Sequence, residues 1–366
     1  MKEQTPEKKQ VPQDVETPPT QLANAVLRLI WRERHISRAE IARQANLSRS
    51  TVSEIVGTLL KKKLVTEVGA GPSSGGRRPI VLEFQDRTRV ILGVDMGAGH
   101  VSVALTDLRG NVLAYEEREH PVRTDPVGTR ALIFKLCEAC LAKRGQGKRG
   151  LVGIGIAVPS PVDPDHPGEL SEVVLPAWQA HAGFEELSTH YGVPVMVDND
   201  ANLGALAEAW WGAGINVPNL IYIKIATGVG SGHVINGEIY RGATGFAGEI
   251  GHLPIDPKGP PCVCGLQGCL VTFVGAPALI ARAGSLLEAF PESRLVGRKL
   301  TIDSIEDAAL DGDPLAVQVA QEAGEHLGIA MTGVINLMNP AMVIVGGGLA
   351  RLGDLILHKV REMAQG

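Results

Sequence analysis

From residue 20 onwards the apolar positions recur with helical spacing. Leu22, Val26, Leu29 and Ile30 mark a first helix. A second, short helix carries Ile41 and Ala42, with Ser37 as its N-cap and Glu40 at the capping-box position. After the turn "ANLS", a third helix capped by Ser48 turns Val52, Ile55, Leu59 and Leu60 inward. Two short helices joined by a tight turn are the helix-turn-helix layout. "LVTEV" and "IVLEF" then read as two strands flanking "GAGPSSGGRRP", a flexible loop that closes on Arg77 and Arg78. Residues 20–86 are thus predicted to form a winged helix-turn-helix. Residues 1–19 are polar and Pro-rich and read as a disordered tail.

Beyond a short connector the pattern changes. "VILGVDMGAGHVSVALTDLRGNVLAYE" reads as strand, Gly-rich turn, strand, turn, strand. "LIYIKIATGVGSGHVINGEIYRG", about 130 residues later, repeats that order, with Asn236-Gly237 as a hairpin signal. "GLVGIGIAVPSPVD" and "PVMVDND" add buried strands. "DANLGALAEAWWG" and "AVQVAQEAGEHLGIAMTGVINLM" are helical. The class is α/β with mixed sheets, in two related lobes around a cleft. We place the first lobe at residues 90–208 with part of 341–366, and the second at 209–340. Gly-rich turns after strands can hold phosphate oxygens through backbone N–H groups, although turn geometry alone also explains them. Neither is a Walker loop.

Charge sharpens the division. The chain carries −5 overall, yet residues 20–86 carry +5 and residues 87–366 carry −9. A basic head on an acidic body points to double-stranded DNA as the head's partner; a solvated basic surface is the alternative. Ser48, Arg49, Ser50, Thr51 and Ser53 open the third helix, where a major-groove reader puts its base contacts. Arg77 and Arg78 suit phosphates or a narrow minor groove. No apolar run reaches the roughly 18 residues of a membrane span. The N-terminus lacks the apolar stretch of a secretory signal. The expected location is therefore cytoplasmic, where clustered cysteines bind metal more often than they pair.

Two constellations carry chemistry. "VDNDAN" ends a strand and opens a helix, so Asp198, Asn199 and Asp200 stand at a carboxyl edge. One acidic residue suffices for a helix cap, which leaves a surplus able to hold a hydroxyl or accept its proton. "GEIGH" supplies Glu249 and His252, and carboxylate, amide and imidazole together suit a hydroxyl-rich ligand. His252-x9-Cys262-x-Cys264-x4-Cys269 offers one imidazole and three thiolates, a complete tetrahedral shell for structural zinc. Free thiols or an oxidisable surface loop are the alternatives. Cys137 and Cys140 lie inside a helical pattern and read as core.

With these pieces placed, the chain resembles the ROK family (repressors, open reading frames, sugar kinases), and within it the repressor branch. The resemblance covers roughly residues 20–366. It rests on "GRRP" in the wing, "GVDMGAGHVSVALTDLRG", "GIAVPSPVD", "VDNDAN", "GVGSGHVINGEIYRGATGFAGEIGH", the cysteine cluster and "NPAMVIVGGGL". It implies an actin-like ATPase fold for the body and zinc on His252, Cys262, Cys264 and Cys269. It implies a sugar pocket at Asn199, Asp200, Glu249 and His252, with Asp200 the general base in kinase members. Zinc would then stiffen the loop that aims Glu249 and His252. Three departures matter. Kinase members carry Gly-Gly-Thr in the first phosphate turn, where this chain has Gly97-Ala98-Gly99-His100, so ATP is not expected to bind. Val271 stands where members often have Glu, and losing that acceptor would cost a ligand about 1–3 kcal/mol. Members usually continue past "GGGLARLGDLILHKVREMAQG" with a strand and helix that complete the first lobe. The expected function is a sugar-controlled transcriptional repressor, a homodimer or dimer of dimers on a palindromic operator. An ATP-dependent sugar kinase using Asp200 is the alternative, and a body that senses a partner protein is a third reading.

Overall fold

The computed structural model describes residues 18–70, 78–171, 174–179 and 183–365. The chain divides into a head unit, up to Val90 plus Asp107–Asn111, and a body unit made of the rest.

In the head, α1 (Pro18–Glu33), β1 (Ile36–Ser37), α2 (Arg38–Gln44), α3 (Arg49–Lys61), β2 (Val65–Ala70) and β3 (Ile80–Phe84) enclose one small core. Val26, Ile30, Ile41, Val52, Val56 and Leu82 are its centre. Leu22, expected on the inner face of α1, is 39% exposed. The buried stripe runs through Val26 and Ile30 towards Ala23 and Leu27, and Leu22 falls beyond its edge. The capping box forms: Ser37 accepts from the Glu40 N–H, and the Glu40 carboxylate accepts from the Ser37 N–H at 2.8 Å. Asn46 takes the left-handed conformation (φ 53°) that lets the chain reverse between α2 and α3. The sheet order is β1-β3-β2. β1, at two residues, is too short to leave a pattern in the sequence. The tail predicted for residues 1–19 lies outside the described residues except at its end, where Pro18 and Pro19 open α1.

The turn Asp107–Asn111 packs as part of this unit, which the sequence pattern did not suggest. Leu108 joins the core. The Arg109 guanidinium pairs with Asp86 at 2.6 Å, donates to the Trp31 carbonyl at 2.9 Å and lies 5.5 Å over the Trp31 ring.

The body holds two sheets. The first takes β4 (Val90–Met96), β5 (His100–Asp107), β6 (Val112–Glu119), β7 (Leu151–Val158) and β8 (Val195–Asn199) in the order β6-β5-β4-β7-β8. α4 (Pro126–Arg144) and α5 (Glu185–Tyr191) accompany it. Cys137 and Cys140 are buried in α4, and the Cys140 thiol donates to the Val103 carbonyl. The second sheet takes β9 (Leu220–Ile225), β10 (Val229–Ile235), β11 (Glu238–Tyr240) and β12 (Met342–Gly346) in the order β11-β10-β9-β12. Asn236 and Gly237 both have positive φ, as their hairpin demands. α6 (Asp200–Trp211) lies on β9 and β10. At Gly232 of β10 a Cβ would collide with the Ala201 carbonyl, so only glycine admits the helix this close. The short α7 (Val271–Val274), α8 (Ala276–Leu286), α9 (Ile302–Leu310), α10 (Pro314–Met338) and α11 (Asp354–Gln365) complete the lobe.

One placement is corrected. Of residues 341–366, assigned in part to the first lobe, the strand β12 and helix α11 belong to the second. β12 pairs parallel with β9, whose other edge is already taken by β10, after α10 crosses over. α11 then packs along α10, where Gly324 and Gly328 leave room for Lys359 and Met363.

Candidate functional site

In the head, the N-terminus of α3 is built around a hydroxyl cap. The Ser48 hydroxyl accepts from the Thr51 N–H and bonds the Ser50 and Thr51 hydroxyls at 2.7 and 2.8 Å. Arg49, Ser50 and Ser53 are exposed, Thr51 is half-buried, and the packing face is Val52, Ile55, Val56 and Leu59. Arg38 pairs with Glu67 at 2.8 Å and ties α2 to the wing. Arg78 is exposed, while Arg77 lies outside the described residues.

In the body, the polar groups converge where the two sheets' Gly-rich turns meet α6. Of the "VDND" acids, Asp198 is committed to architecture: it accepts from Arg241 at 3.1 and 2.6 Å and from Asn202. Asn199 caps α6, accepting from the Ala201 and Asn202 N–H groups and donating to the Ser160 carbonyl at 3.1 Å. Asp200 faces Lys224 of β9, with Nζ 2.7 Å from Oδ2. Neither Lys224 nor Arg241 had been singled out in the sequence. Burial pushes the Asp200 carboxyl above the ordinary range against the pull of Lys224. Burial also works against the charge of Lys224, but Asp200 and then Asp95 hold its pKa above the usual lysine value. Glu249 lies within electrostatic reach of Asp200; burial first, then that charge, pushes it up to about 7. A carboxyl raised this far exchanges its proton in the neutral range, so it can serve a hydroxyl as acceptor or donor.

The first Gly-rich turn is filled by its own chain. The His100 ring lies against Gly97, where any Cβ would collide with it, and its Nε2 stands 3.4 Å from Asp95 Oδ2. Burial opposes ionisation of Asp95, but the His100 bond, then the charge of Lys224, brings it below the usual range. The same bond raises His100. A groove of about 750 Å³ lined by α9, α10 and α11 residues such as Leu310, Val317 and Leu355 contains none of these groups.

Past Glu249, the turn Ile250–His252 delivers His252 to the cysteines. His252, Cys262, Cys264 and Cys269 bring their ligand atoms within 4.8 Å of one another. Cys262 Sγ lies 3.3 Å from His252 Nδ1, and Cys264 Sγ lies 3.6 Å from Cys269 Sγ. These are the ligand-to-ligand spacings that a tetrahedral centre with metal–ligand bonds of about 2.0–2.3 Å requires. Gly268 carries positive φ and, pressed against the Asp256 carbonyl, permits the tight turn before Cys269. Burial and then the neighbouring thiols push Cys269 up to about 12, whereas the Leu266 backbone bond holds Cys264 down. Three thiols this close ionise together only around a cation. The donor set thus fits a closed, soft-metal structural centre.

Comparison with known proteins agrees with this construction. The ROK family profile matches residues 91–366, and a winged helix-turn-helix DNA-binding profile matches residues 21–66. The xylose repressors of Caldicellulosiruptor bescii and Bacillus subtilis are each 34% identical over 92% of this chain, covering 86% and 84% of their own lengths. The DNA-binding transcriptional dual regulator NagC of Escherichia coli is 33% identical over 92% of this chain and 83% of its own. The crystal structure of a ROK family transcriptional regulator, a homologue of the E. coli MLC protein, covers 95% of this chain and 88% of its own, with TM-score 0.79 and 29% identity. A ROK family glucokinase from Streptomyces griseus, solved with glucose and AMPPNP, covers 75% of this chain and 88% of its own, with TM-score 0.64 and 29% identity.

Proposed function

The chain belongs to the ROK family, and we propose that it is a DNA-binding transcriptional repressor whose effector is a sugar or sugar derivative held in the body's cleft. The carrying observation is the pairing of a winged helix-turn-helix with a sugar-kinase-like body whose first phosphate turn is occupied by His100. Asp200, Glu249 and His252 contact the ligand, and Asn199 positions Asp200 by capping α6. Zinc would be held by His252, Cys262, Cys264 and Cys269 and would supply a structural centre that stiffens the loop. His252 Nδ1 lies on the Cys262 side, so Nε2 would remain for the sugar. Arg49, Ser50 and Ser53 read base edges, and Ser48 and Thr51 orient them. Arg77 and Arg78 hold phosphates from the wing. Two copies reading two half-sites of a palindrome is the arrangement this head suits. Sugar binding shifts the DNA-binding equilibrium by no more than its preference for one state of the protein.

Selection of random duplex DNA by gel shift, followed by release with a sugar panel, tests the reading. One enriched palindromic motif, lost on addition of one sugar, is the expected result. No enrichment at moderate salt would overturn it. The kinase reading has one feature in its favour, the intact second turn with Thr227 and Gly228. ATP turnover on a sugar that Asp200→Asn abolishes would replace the repressor reading with that one.

A further inference from the structure

One cleft group has no task in the reading above: Lys224. Its Nζ has three N–H donors, and only the one to Asp200 is engaged among the described bonds. Its side chain is 24% exposed and that of Asp200 is 15%, so the pair is sheltered but not sealed from solvent. Its neighbours across the sheet are Gly230 on β10 and Gly346 on β12, and the Tyr222 ring lies over Gly346. α6 brings Asp200 to it from one side, and Asp95 and Tyr222 are within its electrostatic reach. An ammonium paired with a carboxylate, both still partly exposed, has a definite chemical complement. A hydroxyl donates its proton to the carboxylate, and the oxygen of the adjacent hydroxyl accepts from the ammonium.

We propose that Lys224 and Asp200 form one internally neutral couple that reads two adjacent hydroxyls of an uncharged sugar, making Lys224 a specificity-determining residue of the effector site. This rests on the reading of the cleft as the effector site. The couple holds a hydroxyl without deprotonating it, because the carboxylate is already shared with a fixed cation. It also disfavours sugar phosphates and sugar acids. The cleft sets three carboxyls, Asp95, Asp200 and Glu249, against Lys224 and an imidazole already bound to Asp95, so it has no surplus cation. An anion on the ligand would compete for Lys224 and leave Asp200 sheltered without its partner.

Calorimetry on the full chain tests this with neutral pentoses and hexoses, their phosphates, their aldonates and their monodeoxy analogues. A neutral sugar is expected to bind the wild type, and Lys224→Met to weaken it at least about tenfold. One deoxy analogue is expected to bind the wild type weakly yet lose little more in Lys224→Met, because the missing hydroxyl is the one Lys224 reads. Lys224→Gln, which keeps N–H donors without the charge, is expected to fall between the two and carries the test if the Met variant unfolds. Equal loss for parent and every deoxy sugar would make Lys224 a structural support and sink the proposal. Tighter binding of a phosphate or aldonate would overturn the uncharged class. Silence of the wild type toward every sugar, with operator binding intact, would take down the sugar-effector reading as well.

Discussion

The exposed face of α3 in the head and the cleft of the body place polar groups under opposite conditions. Arg49, Ser50 and Ser53 stand in water on a helix whose other face is packed, and Ser50 bonds only the Ser48 hydroxyl of the helix cap among the described bonds. Asp198, Asn199, Asp200, Lys224 and Glu249 are largely out of water, and all but Glu249 are tied to named protein partners. The exposed residues of α3 can therefore change with little effect on stability, whereas the paired cleft residues are bound into architecture.

The largest expected contrast lies at the metal centre. Cys264→Ser should reduce bound zinc from about one per chain to near none, measured by elemental analysis of the purified protein. Sugar binding should fall with it, while operator binding without sugar persists. Equal metal content in the two proteins would remove the centre from the account. Next comes the buried couple. Asp200→Ala leaves the Lys224 ammonium sheltered and alone, and should cost about 2–3 kcal/mol in denaturant unfolding, less than a fully buried pair because Lys224 still meets some water. The double change Asp200→Ala with Lys224→Met should recover part of that loss; an additive double mutant would mean the two do not interact. The smallest effects on the fold belong to the head. Arg49→Ala should leave the unfolding midpoint unchanged yet weaken binding to the selected operator by about 1–3 kcal/mol, and Arg78→Ala should lower affinity evenly across sequences. A shifted midpoint for Arg49→Ala would show that the helix end is less independent of the core than its exposure indicates.

Legibility in the sequence follows the same divide between local and distant. The capping box of Ser37 and Glu40, the Ser48 cap, the Asn236-Gly237 hairpin and the cysteine spacing all close within a few residues of themselves or one loop, and each could be read directly. Leu22 was misjudged because helical periodicity names a stripe but not where a particular core stops. Lys224 escaped notice because in sequence it is one polar residue inside an apolar strand. Only the fold of α6 onto β9 brings Asp200, 24 positions earlier, to its ammonium. Arg241 reaches Asp198 across 43 positions for the same kind of reason. The Asp107–Asn111 turn looks like an ordinary hairpin until Arg109 is seen on Trp31, 78 positions away.

The amino-acid order by itself determined the winged helix-turn-helix, the two repeated strand–turn units, the His/Cys cluster and the Gly97-Ala98-Gly99-His100 turn. Periodicity, caps and short-loop spacings are set by neighbours along the chain. The tertiary structure alone decided that Asp198 of "VDND" pairs with Arg241 and Asp200 with Lys224, and that the last strand joins the second sheet. Those depend on which edges and faces remain open once the other elements have packed, and no local propensity records that.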